Sequence, residues 1–148
     1  MGLTDAPAVA GLSRAIQLSV APVFLLTGIG GLLSTFTARL SRIIDRTRLL
    51  QEAMEQGNIA QAKRLKQILV LQRRRLFLIN RAILCATFTA LLVSGVVGVL
   101  FISAVAAVDL AAIVVPVFVL AMASLILALL LFLLEVQLAI SQNPRRYY

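Results

Sequence analysis

The sequence predicts an all-α polytopic membrane protein, and three observations carry that prediction. Hydrophobic residues make up 61% of the 148-residue chain and charged residues only 14%, whereas a soluble domain covers itself with roughly 25% charge. Three long segments carry no charge at all. The whole net charge of +8 falls between the first and second of those segments. The length is one domain's worth, and residues 1–148 are expected to form a single membrane domain.

The first uncharged segment runs over residues 15–38, the second over 82–108 and the third over 110–134, which is 24, 27 and 25 residues. About 20 residues of helix cross ~30 Å of hydrocarbon, so each is long enough to span. In lipid every backbone polar group must find its partner locally, which forces helix in all three. Only Asp109 separates the second and third, so they meet in a tight turn. Pro22 and Pro116 sit in the outer parts of the first and third spans and are expected to kink or loosen them.

Orientation follows from the basic residues. Residues 39–81 hold 11 Lys and Arg and three acids, while the rest of the chain holds three of each. Basic loops stay cytoplasmic, which places the N-terminus and Asp109 outside and the C-terminus inside. The first span lacks a basic n-region and a cleavage site, so it reads as a retained span rather than a signal peptide.

The basic segment carries its own helical pattern. Phe36, Leu40, Ile43, Thr47, Leu50 and Met54 recur at spacings of four and three, which is one face of a helix. Ala62, Leu65, Leu69, Gln72, Leu76 and Ile79 make a second stripe, and Gly57-Asn58 between them suits a helix end followed by an N-cap. The first span is therefore expected to continue to about Met54 and a second helix to return from Ile59 into the second span. Residues 39–81 would stand as an antiparallel helical hairpin on the cytoplasmic face.

The inventory excludes much chemistry. Histidine is absent, Cys85 is the single cysteine, and the acids number six. No His base, Cys cluster or nucleophile–base pair can be assembled from that set, so no catalytic residue, metal or cofactor is expected, and the chain does not read as an enzyme.

Several features have both a structural and a functional reading. Ala82, Ala86, Ala90, Ser94 and Gly98 repeat every four residues and suit close helix packing, within one subunit or between subunits. Gln17, Thr27, Gly28, Gly31, Ser34 and Thr35 give the first span unusual polarity and smallness. They either pack against another helix or line a path through an oligomer. Asp109 caps the third helix or joins a ring of carboxylates at a pore mouth. Glu135 closes the third span and is expected to pair with Arg81 or Arg39, or to act as an ion site. The basic cluster of Arg39, Arg42, Arg46, Arg48, Arg73, Arg74, Arg75 and Arg81 sets topology and meets anionic lipid headgroups, or binds an acidic ligand or partner. Asp45 is expected to neutralise Arg42 and Arg48, or Arg73 across the hairpin. Nucleic acid is not an expected partner, because no aromatic stacking platform accompanies the charge.

The run from Ala15 to Phe24, the block Arg39-Leu40-Ser41-Arg42-Ile43-Ile44-Asp45-Arg46-Thr47-Arg48, and the helix Arg73-Arg74-Arg75-Leu76 entering an apolar span together resemble the bacterial family known as domain of unknown function 2721. The resemblance extends from about residue 13 to residue 138. It implies a small three-span inner-membrane protein, and gives Arg39, Arg42, Asp45, Arg46 and Arg48 a significance beyond topology. The expected function is a self-associating inner-membrane protein, an oligomeric ion channel or pore with a basic cytoplasmic vestibule. The alternative is a non-conducting structural or accessory protein whose basic stalk docks a partner or anionic lipid.

Overall fold

The computed structural model describes residues 6–55, 59–106 and 110–141. They form three α-helices in chain order: α1 (Ala6–Glu55), α2 (Ile59–Ala106) and α3 (Ala111–Ser141). All three are long and apolar enough to cross a membrane. The chain is a multi-pass membrane protein.

The helices outrun the uncharged segments that announce them. α1 begins at Ala6 rather than residue 15 and continues to Glu55; α3 continues past residue 134 to Ser141. Loss of hydrophobicity does not end a helix, because Gln, Arg, Glu and Leu all propagate one well. Pro22 and Pro116 both lie inside continuous helices, each withholding one backbone donor. At the start of α3 the Leu110 carbonyl accepts from the N–H groups of Ile113 and Val114 at 2.9 and 3.1 Å. Residues 56–58, with the expected Gly57-Asn58 turn, and residues 107–109, with Asp109, lie outside the described residues.

Packing divides the chain into two units, one of residues 1–32 and 86–126, the other of residues 33–85 and 127–148. In the first, Ile29 of α1, Ala86, Thr89, Val93 and Val96 of α2, and Ala121 of α3 are buried. The Thr89 hydroxyl donates to the Ala121 carbonyl at 3.3 Å, tying α2 to α3. A methyl group built at Gly11 would lie 3.7 Å from the Ala104 carbonyl, so α1 and α2 are in contact there as well.

In the second unit the core is Phe36 and Ile43 of α1, Gln72, Ile79 and Ala82 of α2, and Ala128 and Glu135 of α3. Phe36 stacks on Phe132, ring centres 4.6 Å apart and planes 29° from parallel. The α1 stripe from Phe36 to Met54 is buried or half-buried at every position, as are Leu69, Gln72, Leu76 and Ile79 on α2.

The buried positions repeat at seven: Ile29, Phe36 and Ile43 on α1; Gln72, Ile79, Ala86 and Val93, then Ala82, Thr89 and Val96, on α2; Ala121, Ala128 and Glu135 on α3. A seven-residue repeat with alternating steps of three and four keeps one narrow seam facing its neighbours. Alanines at four of these positions let backbones approach where no hydrophobic force draws helices together. Large apolar side chains outside the seam, such as Leu91, Ile102, Leu127 and Leu133, are exposed and face what must be lipid.

Candidate functional site

Glu135 organises the polar chemistry of the second unit. It is fully buried, on the seven-residue seam of α3. Arg75 of α2 donates to its Oε1 through Nε at 3.1 Å and Nη2 at 2.7 Å. Arg39 of α1 donates to its Oε2 through Nη1 at 3.4 Å. One carboxylate therefore joins all three helices. Arg39 also lies over the Phe132 ring, its Cζ 5.2 Å from the ring centre, so both the anion and the aromatic face stabilise its charge. A buried carboxylate is tolerated only when paired and hydrogen-bonded, and both of its oxygens are.

Beside this node opens a half-open cavity of about 270 Å³, lined by Arg39, Arg42, Ile43, Arg46, Gln72, Arg75 and Glu135. Four guanidinium groups face it against one carboxylate. Arg42 and Arg46 are exposed and form no ion pair among the described residues. Gln72 is buried, and its Oε1 has no hydrogen-bond partner among the described residues. This surface can hold an anion.

A model of the family described as Protein of unknown function (DUF2721) matches residues 19–144. The chain belongs to this family. No curated protein and no solved structure matches it. The matched range contains all three arms of the node and every lining residue of the cavity.

The remaining basic residues of this DUF2721 chain disperse. Arg73 borders a groove with Met54 and Lys66, and Arg74 one with Leu78 and Gln137. Arg81 lies over Phe77 at 5.2 Å rather than on Glu135. Its position, two residues beyond the seam residue Ile79, turns it away from α3. Arg48 pairs with Glu52 at 3.3 Å one turn along α1. Asp45, expected to neutralise Arg42, Arg48 or Arg73, is exposed and has no ion pair among the described residues.

Gln17, Thr27, Gly28, Gly31, Ser34 and Thr35 are all exposed on α1. A methyl group built at Gly28, Gly30 or Gly31 would meet nothing within 4 Å, so among the described residues no other helix of the chain approaches these glycines closely on that side. Thr27 donates back to the Val23 carbonyl at 3.3 Å. On α2 the four-residue row divides. Ala82 and Ala86 are buried and Ala90 half-buried, while Ser94 and Gly98 are exposed. Steps of four overrun a turn by about 40° each, so a strict four-residue row winds off the seam. Its place is taken by Thr89, Val93 and Val96.

Sequence reasoning anticipates Arg39 as a partner of Glu135 but misses Arg75, the stronger of the two. The signal is present: Glu135 follows Ala121 and Ala128 by fourteen and seven residues, and Arg75 precedes Ala82 by seven. Residues that share a heptad position share a face.

Proposed function

We propose that this protein is a self-associating protein of the bacterial inner membrane, with its N-terminus outside and its C-terminus cytoplasmic, whose copies meet through the outward face of α1 and enclose an ion-conducting path. The observation that carries this reading is the make-up of that face. Opposite the buried seam lie Gln17, Ala21, Phe24, Gly28, Gly31, Thr35 and Ala38, at steps of four and three, every one exposed. Glycine in a helix costs about 1 kcal/mol relative to alanine, and a face that met only lipid would gain nothing from it. A second helix approaching closely would, since small residues at this spacing are what lets membrane helices associate. Gln17, Thr27, Ser34 and Thr35 on the same side then supply a wettable lining. The expected cytoplasmic hairpin of residues 39–81 forms the basic vestibule. In this reading the chain is not an enzyme, needs no metal or cofactor, and does not bind nucleic acid.

The test is the mass of the assembly in lipid nanodiscs, together with ion flux from liposomes holding the wild type or Asp109→Asn. An oligomer that passes ions is the expected outcome, with altered selectivity in the variant if Asp109 lies on the path. A strict monomer in both mild detergent and lipid refutes conduction, because three spans enclose no path.

A second reading is a non-conducting accessory protein whose basic stalk docks a partner or anionic lipid. It is favoured by Arg42 and Arg46, which border the cavity beside Glu135 and are exposed and without an ion pair among the described residues. Charge reversal at Arg42 and Arg46 is expected to abolish co-purification of such a partner, and an unchanged set of co-purifying proteins counts against it.

A further inference from the structure

We propose that the cavity bounded by Arg39, Arg42, Arg46, Gln72, Arg75 and Glu135 is a binding site for a phosphate group that carries a neighbouring hydroxyl. The inference sharpens the lipid-docking reading and is independent of self-association, so a monomer that binds phosphate would retain it and lose the channel.

Charge is the first ground. Glu135 spends Oε1 on Arg75 and Oε2 on Arg39, and Asp45, the acid nearest to Arg42 and Arg46 on α1, pairs with neither of them among the described residues. These two stand one turn apart on α1 and border the same cavity. Like charges at that spacing repel and weaken a helix, and a shared anion relieves the repulsion. A phosphate group suits two further guanidiniums: a monoester offers three terminal oxygens and a diester two, spread tetrahedrally beside the ester oxygens, and planar guanidinium forks bind phosphate oxygens in pairs.

The amide is the second ground. Gln72 occupies a seam position seven residues before Ile79, where an apolar side chain would pack without penalty. Instead its Oε1 is buried and unpartnered among the described residues, an arrangement that costs stability unless a donor arrives. Guanidiniums attract the anion, and the amide accepts from a hydroxyl beside it.

Size and level narrow the ligand. About 270 Å³ is below the usual 300–1,000 Å³ of pockets for drug-sized ligands, so it suits a phosphoglycerol-sized group rather than a nucleotide. Arg39 and Glu135 each stand at the first residue past an uncharged run, the level at which lipid phosphates lie. The same chemistry occurs in the headgroup of phosphatidylglycerol and in free glycerol 3-phosphate.

The experiment uses the full chain in phosphatidylcholine nanodiscs. Glycerol 3-phosphate and methyl phosphate are titrated calorimetrically, and native mass spectrometry of protein from mixed vesicles scores retention of phosphatidylglycerol over phosphatidylcholine. Saturable binding of glycerol 3-phosphate identifies a soluble ligand, and selective retention of phosphatidylglycerol identifies a lipid. Arg42→Ala/Arg46→Ala is expected to weaken whichever binds by about tenfold or more, since each charged hydrogen bond contributes about 1.5–3 kcal/mol. Arg73→Ala/Arg74→Ala removes the same charge outside the cavity and is expected to leave binding within about twofold, the scale of a screened surface effect. Gln72→Leu keeps methyl phosphate binding and loses the preference for glycerol 3-phosphate. Should the alanine pair fail to fold, Arg42→Lys/Arg46→Lys keeps the charge, removes the forks, and is expected to weaken binding in the same direction. No saturable or selective binding by the wild type, or equal losses in the two double-alanine variants, overturns the proposal.

Discussion

Replacing Glu135 with leucine tests what holds α3 to the other helices in the second unit. Glu135 is fully buried, and the Arg75 side chain, only 14% exposed, has turned two nitrogens onto its Oε1. Removing the carboxylate strands a nearly buried guanidinium, an expected loss of about 3–5 kcal/mol. Arg75→Leu strands the carboxylate instead and belongs in the same range. Arg39→Leu does not. Its side chain is 41% exposed and its contact is 3.4 Å long, so the ion pair and the contact with Phe132 together contribute about 1–2 kcal/mol. Glu135→Leu/Arg75→Leu replaces both charges with apolar groups and should recover most of the single-variant loss, because such replacements are often neutral or stabilising. The assay is reversible unfolding in mixed micelles, followed by helical circular dichroism, on the four variants and the wild type. If Arg39→Leu costs as much as Arg75→Leu, or if the double variant loses the sum of the two singles, Glu135 is not the buried and shared counterion described above.

Three further outcomes follow from packing. Ala128→Leu puts a large side chain at a fully buried seam position and should cost about 1–3 kcal/mol by overpacking in the same unfolding assay. Thr89→Val removes one interhelical hydrogen bond of 3.3 Å while keeping the shape, and should cost only about 0.6 kcal/mol; a loss above 2 kcal/mol would show that the bond matters more than its length suggests. Gly31→Leu points into open space, so it should leave unfolding unharmed or raise stability by up to about 1 kcal/mol while lowering the assembled mass in nanodiscs. An unchanged mass removes Gly31 from the proposed interface.

The helices were legible wherever a repeating face extended past the apolar runs. The stripe from Phe36 to Met54 carries α1 through about five turns of mixed polarity because its spacing never breaks, and the described helix runs on to Glu55. α2 is described from Ile59 on, and the Gly57-Asn58 turn expected before it lies outside the described residues. What hydropathy did not reveal was rotation. Arg39, Arg75 and Arg81 all lie near the ends of uncharged runs, and depth alone cannot choose among them as partners of Glu135. The seam chooses, and Arg75 is on it. The same lesson separates Ala86 from Gly98: both are small and both belong to one four-residue row, but only the first stays on the packed side. The orphaned Gln72 oxygen could not be read at all, because a polar residue in an apolar stripe looks the same whether or not it finds a partner.

The node at Glu135 also imposes an order on biogenesis. Synthesis runs from α1 to α3, so both guanidiniums exist before their carboxylate does. Until residue 135 is made, α1 and α2 bring two positive charges toward one another with nothing between them, and the pair resists closing. The last helix supplies the counterion that lets them close. α3 thus brings the shared counterion last, and a chain ending before residue 135 would leave Arg39 and Arg75 without it.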